Sequence, residues 1–462
     1  MKKRFISSVL CIALFAVCFS CKKPSGNVST NELNSTSENS STSESVVESV
    51  DPKVEISTDK SEYFVIMDGK QKSQKITTTV KVDGKKIYSP VLDYEVKDTA
   101  ICEINGSSIV AKSVGKTEVT ISYEDTEHVV TVFVCEPTTK ELVNSFDEKY
   151  VNLYGRTYIS NNNLCLDHVG TGVGVAFEGT ELSVTFECTG SNYVCIFIDG
   201  AQGYLTRIKL EQGVSTHVVT KNLKAGFHTV RVVKSNEIDD GSIKIKEFSA
   251  EAFYTAPVKS SLYIEFIGDS ITTGYGALGE QWSQRTVENS DGCSAFAYKT
   301  AALLGADYSI IAKQGICVKG KFITSDTMSE IYNYVSTNTK EEYSFERKAD
   351  IVVINLGTND SNYIATSAKL QAEFPNDYYD FLRLVREKNP DAHIICLYGF
   401  MNLDSKIIDG IASAVERMQD DKIYTEFGTY ISNTAGANGH PTKFAHTQWA
   451  NILSRFITRN IL

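Results

Sequence analysis

The clearest structural signal in the chain is the segment Tyr263-Ile264-Glu265-Phe266-Ile267-Gly268-Asp269-Ser270-Ile271-Thr272. Its first five residues are mostly apolar, and the turn-forming sequence Gly268-Asp269-Ser270 follows them at once. A short apolar run that stops at a glycine indicates a buried strand, because a buried helix would need a longer segment. We therefore predict a β-strand over 263–267, with Ser270 just beyond its carboxyl end.

Four further apolar runs of similar length follow, and helical patterns separate them. The additional predicted strands are 308–312, 351–356, 394–398 and 423–427. One helix keeps its apolar period up to Asn389-Pro390, and Asp404 is placed to cap the next helix. Alternating strands and helices predict an α/β fold over residues 260–462, a doubly wound, flavodoxin-like parallel sheet with helices on both faces.

This topology brings four loop residues to one edge of the predicted sheet. In an open parallel sheet the ligand lies beyond the carboxyl ends of the strands. Ser270 follows the first strand, Gly315 the second and Asn359 the third. His440 lies in the loop before the last helix. We therefore expect these four residues to converge.

The four residue types suit nucleophilic acyl transfer. A serine hydroxyl needs a general base, and the proton affinity of histidine suits neutral pH. The oxyanion of a tetrahedral intermediate needs hydrogen-bond donors, which the N–H groups of Ser270 and Gly315 and the Asn359 amide would supply. We predict Ser270 and His440 as catalytic residues, and Ser270, Gly315 and Asn359 as an oxyanion hole.

Short segments of the chain resemble the sequence blocks of the SGNH (GDSL-like) hydrolases: Gly268-Asp269-Ser270, Gly315, Gly357-Thr358-Asn359-Asp360 and His440. A β region directly before that domain, with Asn355-Leu356 ahead of the third block, resembles carbohydrate esterase family two, which are acetylxylan esterases. The resemblance covers roughly residues 150–462. It implies a serine esterase that removes acetyl groups from a polysaccharide without a metal.

The chain departs from that family next to the histidine. Family members commonly have an aspartate two or three residues before it, where this chain has Asn438 and Ala437. We predict a Ser-His dyad, in which either the Asn438 side-chain oxygen or a backbone carbonyl accepts from the His440 ring and fixes its tautomer. Members also often have a tryptophan just before the histidine, where this chain has Gly439.

The same residues have simpler interpretations. Ser270 would be a helix-capping serine, and His446 is the other candidate base, although we expect it inside the last helix. Asp269 and Asp360 are expected to hold loops through backbone hydrogen bonds rather than to act as bases. Arg156 is either an exposed side chain or a contact between the β region and the catalytic domain.

Two all-β regions precede the α/β region. Residues 51–136 alternate short apolar runs with turn signals, and 100–121 resembles the group 2 bacterial Ig-like domain. We predict an Ig-like β-sandwich there, which either binds carbohydrate or serves as a spacer. Residues 138–256 show strands around Glu-Gly-Thr and similar turns and no helical period, which predicts a β jelly roll.

The N-terminus has the pattern of an export signal. A basic start, an apolar segment over 5–19 and Ser20-Cys21 predict a signal peptide over residues 1–21. Cys21 after a small residue resembles a bacterial lipobox, which implies membrane attachment through a lipid on Cys21 and an exported, cell-envelope lipoprotein exposed at the surface. An ordinary signal peptide is the alternative. Residues 22–50, rich in Ser, Thr and Asn, predict a flexible tether.

The composition limits the partners and cofactors. The 462 residues include 46 Lys and Arg against 57 Asp and Glu, a formal net charge of −11. Without a basic cluster beyond the N-terminus, nucleic acid is a poor partner, because phosphate neutralisation needs clustered Lys and Arg. No glycine-rich phosphate loop follows a strand, and no cysteine spacing fits a zinc site. We predict no metal and no other cofactor.

These observations predict a carbohydrate O-deacetylase that hydrolyses acetyl esters on a polysaccharide or oligosaccharide. Two alternatives stay open. One is a lipase- or thioesterase-type acyl hydrolase with the same chemistry. The other is a carbohydrate-binding lipoprotein whose hydrolase domain has lost catalysis, an alternative motivated by the missing aspartate.

Overall fold

The computed structural model describes residues 53–67, 73–136, 140–257, 259–427 and 435–462. The predicted signal peptide with Cys21 and the tether of residues 22–50 lie outside the described residues. Among the helices of the described part, none combines the length and the apolar character that crossing a membrane requires.

In the first region, the secondary-structure elements described between residues 53 and 136 are all strands. They are β1 (Val54–Thr58), β2 (Glu62–Ile66), β3 (Ser73–Lys75), β4 (Thr78–Val82), β5 (Lys85–Ile87), β6 (Asp93–Val96), β7 (Cys102–Asn105), β8 (Ser108–Ala111), β9 (Gly115–Tyr123) and β10 (Thr126–Cys135). They form three sheets of order β1-β4-β5, β2-β10-β9-β6 and β3-β8-β7. A β-rich region is confirmed here, and its assignment as an Ig-like sandwich stays a prediction.

The second region is one antiparallel sheet system. Its strands are β11 (Lys140–Asn144), β12 (Val151–Tyr154), β13 (Tyr158–Ser160), β14 (Asn163–Leu166), β15 (Gly172–Glu178), β16 (Leu182–Cys188), β17 (Asn192–Ile198), β18 (Thr206–Leu210), β19 (Gly213–Thr220), β20 (Phe227–Lys234) and β21 (Ile243–Tyr254). The main path runs β13-β14-β21-β15-β20-β17-β18, while β11 and β16 also pair with β21, β12 with β15 and β19 with β16. We call residues 140–254 the central β region.

The third region alternates strands and helices. Its elements are β22 (Tyr263–Gly268), α1 (Phe296–Leu303), β23 (Asp307–Ala312), α2 (Met328–Ile331), β24 (Ile351–Asn355), α3 (Thr358–Ile364), α4 (Ala368–Lys388), β25 (His393–Tyr398), α5 (Ser405–Met418), β26 (Ile423–Phe427) and α6 (Lys443–Asn460). We call residues 263–462 the α/β region. All five strands are parallel, in the order β23-β22-β24-β25-β26.

That strand order is the 2-1-3-4-5 order of a doubly wound sheet, as the sequence predicts. The five predicted strands match the observed bounds to within one residue at each end. Side chains of α3, α4 and α5 share one apolar core with the sheet, and those of α1 and α6 share the other. Asp404 caps α5 by accepting from the Lys406 N–H at 3.0 Å.

The central β region packs directly on the α1 and α6 side of the α/β sheet. Along β17, Val194 and Ile196 enter the core of the central β region, whereas Cys195 and Phe197 enter the core that holds Phe296. Because successive strand residues point to opposite faces, both faces of β17 are buried. The two regions therefore share a continuous apolar core.

Arg156 is a contact between these regions and not an exposed side chain. It is 1% exposed, and its Nη2 lies 2.9 Å from Glu265 Oε1 on β22. The guanidinium also donates to the backbone carbonyls of Tyr332 and Tyr334. A buried arginine needs such partners, because an unpaired buried charge is strongly destabilising.

Candidate active site

Ser270 lies in a tight turn at the carboxyl end of β22. Asp269 starts the turn, and its Oδ1 accepts from the Ile271 N–H at 2.9 Å. A Cβ on Gly268 would lie 1.9 Å from Thr272 Oγ1, so only glycine fits before the turn. Ser270 itself is 6% exposed. The turn thus presents a largely buried serine hydroxyl at the edge of the sheet.

His440 reaches this hydroxyl from the loop before α6. Its Nε2 lies 2.9 Å from Ser270 Oγ, and its Nδ1 lies 3.2 Å from the Asn438 backbone oxygen. A carbonyl oxygen can only accept, so in the neutral ring Nδ1 carries the hydrogen and Nε2 accepts from Ser270. The ring orientation is therefore the one that a general base for Ser270 requires.

Of the two acceptors predicted for His440, the structure provides the backbone carbonyl. Asn438 has a left-handed conformation with φ of 50° and ψ of 32°, which asparagine adopts more readily than most residues. Its N–H donates to the Ser283 carbonyl at 3.0 Å, and its side-chain Nδ2 donates to Tyr275 Oη at 3.2 Å. The Asn438 side chain thus bonds to Tyr275.

The environment of His440 favours its neutral form. Burial lowers the pKa of His440 to about 4, and hydrogen bonds to the backbone carbonyls of Asn438 and Ala437 oppose this shift only in part. Tyr275 covers the ring, with the two ring centroids 4.3 Å apart. A base with a lowered pKa stays unprotonated through neutral pH.

Gly315 and Asn359 lie at the ends of the neighbouring strands. Gly315 has a φ of +71°, and a Cβ there would lie 2.6 Å from Cγ2 of Ile323, so both backbone and space require glycine. Asn359 is in the first turn of α3 and donates one side-chain N–H to the Ile316 carbonyl at 3.0 Å. Its amide nitrogen carries a second hydrogen, which a ligand can accept.

All four predicted residues line one open cleft. Its volume is about 500 Å³. Its lining residues are Asp239, Ser270, Tyr275, Lys313, Gln314, Gly315, Ile323, Thr324, Ser325, Asn359 and His440. The convergence predicted from topology is therefore found, and polar groups predominate among the lining side chains.

The competing candidates are not among the residues that line the cleft. His446 is fully buried in α6, where its Nδ1 accepts from the Phe296 N–H at 3.3 Å. Burial lowers the pKa of His446 to about 3. Asp269 and Asp360 are buried, and Asp360 Oδ1 accepts from the Val318 N–H at 3.0 Å. Burial raises the pKa of both carboxyls to about 7.

Sequence reasoning missed three residues near the cleft. Tyr275 packs against the His440 ring at an interplanar angle of 37°, but no motif marks it. Glu237 belongs to the central β region and contacts loops of the α/β region. Trp282 is 88% exposed beside Ser283, whose carbonyl bonds to the loop of His440. A tryptophan in a polar loop was the one available signal.

The cysteines of the described part are buried and unpaired. Cys195, Cys293 and Asp291 lie together, with their ligand atoms within 4.8 Å of one another, where the central β region meets the α/β region. The Asp291 carboxylate there already accepts from the hydroxyls of Ser235 and Ser294. These three side chains have the atom types of a metal site, but hydrogen bonds at the interface already engage the Asp291 carboxylate.

The chain matches two family models. Residues 153–257 match the carbohydrate esterase 2 N-terminal model, and residues 266–451 match the GDSL-like lipase/acylhydrolase model. The boundary between the two matches coincides with the change from antiparallel to parallel strands.

Several known proteins are similar to this chain. The cellulase/esterase CelE of Acetivibrio thermocellus is 29% identical over 306 residues, which cover 63% of this chain and 37% of that protein. An acetylxylan esterase/glucomannan deacetylase of Cellvibrio japonicus is 24% identical over 304 residues, 60% of this chain and 81% of that protein. This chain thus spans little more than a third of the length of CelE.

A solved structure extends the likeness to three dimensions. A family two carbohydrate esterase from Clostridium thermocellum in complex with cellohexaose superposes with a TM-score of 0.63 and 28% identity, over 67% of this chain and 99% of that chain. These homologues are named esterases. The chain therefore carries a carbohydrate esterase 2 N-terminal domain followed by a GDSL-like lipase/acylhydrolase domain, and its homologues are family 2 carbohydrate esterases.

Proposed function

We propose that this chain is a serine esterase that removes acetyl groups from a polysaccharide. The observation that carries the proposal is the 2.9 Å contact between His440 Nε2 and Ser270 Oγ, in a cleft that Gly315 and Asn359 also line. A nucleophile, a base and oxyanion donors within reach of one reacting carbonyl are the requirements of acyl transfer.

The reaction follows from the hydrogen bonds of these residues. His440 Nε2 takes the hydroxyl proton while Ser270 Oγ attacks the acetyl carbonyl carbon. The N–H groups of Ser270 and Gly315 and the second amide hydrogen of Asn359 stabilise the oxyanion. The intermediate collapses, His440 gives its proton to the departing sugar oxygen, and the acetyl group stays on Ser270. Water, deprotonated by His440, then attacks this ester; the bond to Ser270 Oγ breaks, acetate leaves, and His440 returns the proton to Ser270 Oγ.

In this proposal Ser270 and His440 act as a dyad, without an aspartate. The Asn438 carbonyl fixes the tautomer of His440, yet it adds no negative charge to stabilise the imidazolium that forms when His440 takes a proton. Burial already lowers the pKa of His440 to about 4. We therefore expect a base that is fully available at neutral pH and gives up its proton readily to the leaving group.

A carbohydrate substrate is supported by the relatives and by one side chain. An acetylxylan esterase/glucomannan deacetylase and an esterase solved with cellohexaose are among the similar proteins. Trp282 is 88% exposed and directly precedes Ser283, whose carbonyl accepts from the Asn438 N–H in the His440 loop. The φ of +69° at Trp282 is rare for a bulky residue and marks a constrained loop. An exposed indole next to the His440 loop offers an apolar face to a sugar ring, which Gly439 does not.

The proposal is tested by acetate release from acetylated xylan and glucomannan. We expect the wild type to release acetate and both Ser270→Ala and His440→Ala to lose at least ~10³-fold in kcat, because each removes one member of the unit. Wild-type rates in Ser270→Ala would refute the mechanism. A serine-reactive phosphonate should label the wild type, and absence of labelling would instead favour a binding protein that has lost catalysis.

The alternative acyl hydrolase differs in substrate and not in mechanism. Rates on 4-nitrophenyl esters of increasing acyl length separate the two, because a site for acetyl groups should fail beyond a few carbons. Rates that rise with chain length would favour a lipase- or thioesterase-type enzyme.

The remaining assignments extend the same proposal. We propose a jelly roll for residues 138–256, an Ig-like spacer for residues 51–136 and a lipid on Cys21 that attaches the exported chain to the cell envelope. Incorporation of a fatty-acid label that is lost in Cys21→Ala would support the anchor. An unlabelled wild type that is nevertheless exported would favour an ordinary signal peptide.

A further inference from the structure

Glu237 of the central β region joins two loops of the candidate active site. It follows β20, is 1% exposed, and its Oε1 lies 2.8 Å from Thr273 Oγ1. Its Oε2 accepts from the Gln314 N–H at 2.9 Å. Thr273 lies in the turn that holds Ser270, and Gln314 directly precedes Gly315. One carboxylate therefore connects the two loops that would form the oxyanion hole.

Contacts before and after Glu237 fix the segment that carries it. Lys234 is fully buried, and its ammonium group donates to the Glu237 carbonyl at 2.8 Å. On the other side, Asp239 pairs with Lys313 at 3.3 Å, one residue before Gln314. The carboxylate is thus placed by the fold of the central β region, and not only by the two loops that it contacts.

We propose that Glu237 is a positioning residue that fixes the Gly315 N–H relative to Ser270 through Gln314 and Thr273. The central β region would thereby complete the catalytic site of the α/β region. This inference rests on the proposed esterase function. Its physical basis is that oxyanion donors must point at the developing charge, and a misplacement of ~1 Å can cost ~10²-fold in rate.

The length of the side chain matters more than its charge. Burial raises the pKa of Glu237 to about 7, against the hydrogen bonds from Gln314 and Thr273 and the charge of Arg285. We therefore expect a neutral side chain to be tolerated at this position. Glutamine has the same length, and its oxygen can accept from Gln314 while its nitrogen donates to Thr273 Oγ1. Aspartate keeps the charge but is one methylene too short to reach both loops.

The test compares kcat and KM for 4-nitrophenyl acetate in the wild type, Glu237→Gln, Glu237→Asp and Tyr308→Phe. Tyr308 supplies the matched control, because its hydroxyl also bonds across the interface, to the Gly170 carbonyl at 2.8 Å. That contact lies near the amino end of β23, away from Gln314.

We expect Glu237→Asp to lose at least ~10-fold in kcat with little change in KM, and Glu237→Gln to stay within ~3-fold of the wild type. Tyr308→Phe should keep the wild-type kcat even where its melting temperature falls. A wild-type kcat in Glu237→Asp overturns the inference, and so does an equal loss in Glu237→Gln, which would indicate a role of charge.

Thr273→Val serves if Glu237→Asp does not fold, because it leaves the carboxylate in place and removes the hydroxyl that contacts both Glu237 and the Ser270 carbonyl. Its kcat should fall at unchanged KM, and a wild-type kcat overturns the inference. The esterase function and the role of Glu237 are rejected by different results. A wild type that neither releases acetate nor reacts with a phosphonate rejects the esterase function itself, whereas an active wild type with an unaffected Glu237→Asp rejects only the role of Glu237.

Discussion

The backbone oxygen of Asn438 lies 3.2 Å from Nδ1 of His440, the ring nitrogen that bonds to a carboxylate in a Ser-His-Asp triad. A carbonyl holds the ring in the same tautomer but leaves the imidazolium without a charged partner. The difference should be visible in the pH dependence of the reaction.

We expect kcat/KM to stay constant through neutral pH and to fall only as the pH drops towards the His440 pKa of about 4, because the protonated ring cannot accept a proton. With an ordinary histidine, whose pKa is ~6.5, the activity would already fall as the pH drops below about 7. Rates on 4-nitrophenyl acetate as a function of pH measure this acid limb. An acid limb near the ordinary value would contradict the effect of burial.

Asn438→Asp should keep or raise the activity and move the acid limb to higher pH, because a nearby carboxylate favours the charged ring. Asn438→Gly is the control, since glycine keeps both the carbonyl and the positive φ and should leave the limb in place. If Asn438→Asp folds but loses all activity, position 438 does not have the proposed role of orienting the His440 ring.

Gly315→Ala should abolish most of the activity. The new Cβ would lie 2.6 Å from Ile323 Cγ2 and would strain a backbone with φ of +71°, so the N–H next to the cleft must move. We expect a loss of ~10²-fold or more in kcat, the usual effect of removing one oxyanion donor.

Gly305→Ala is the matched control for this glycine. Its φ of +59° is similarly strained, but a Cβ there would meet no atom within 4 Å. We expect a small loss of stability and an unchanged kcat. Equal losses of activity in the two variants would show that backbone strain alone, and not the position of the Gly315 N–H, explains the effect.

Trp282→Ala should weaken the reaction with polysaccharide selectively. If the exposed indole supports a sugar ring, KM for acetylated xylan or glucomannan should rise about 2- to 13-fold, in line with ~0.5–1.5 kcal/mol for an aromatic contact. The kcat/KM for 4-nitrophenyl acetate should not change. Tyr88→Ala, which removes an aromatic ring 84% exposed on the first β region, is the control. Equal effects on both substrates would contradict a sugar contact.

Asp360→Asn should stabilise the protein at alkaline pH. Burial raises the Asp360 pKa to about 7, above its value of 3.8 in an exposed environment, so the buried carboxyl destabilises the fold increasingly as the pH rises through this interval. We expect the variant to melt higher than the wild type at pH 8 and to lose this advantage near pH 4. Asp409→Asn, on an exposed face of α5, should show neither effect. A gain in melting temperature that is larger at pH 4 than at pH 8 would contradict the prediction.

The sequence suffices for residues that topology places. Ser270, Gly315 and Asn359 each follow a strand, and parallel strands end at one edge, so their proximity is a consequence of the α/β pattern. His440 could be placed because the loop before the last helix returns to that edge. The apolar runs located the five strands because a strand buried on both faces must be apolar throughout.

The contacts between the central β region and the α/β region could not be predicted from the sequence pattern. Glu237 lies in a segment with no motif, and its partners become evident only once the central β region is docked on the α/β sheet. The choice between the two acceptors of His440 depends on the left-handed backbone of Asn438, which no pattern of residue types specifies. Trp282 could be noticed as an unusual residue in a loop, but its position beside the His440 loop could not.

The common core of the two regions bears on how proteins with this pair of domains can be recombined. Phe197 of β17 packs with Phe296 in the same apolar cluster, so a chimera that exchanged only the α/β region would put foreign side chains against this surface. The side chains of the new helix α1 would then have to pack against the sheet of the original central β region. Recombination breakpoints should therefore be better tolerated ahead of residue 140 than near residue 260, and the central and α/β regions should be inherited together as one unit.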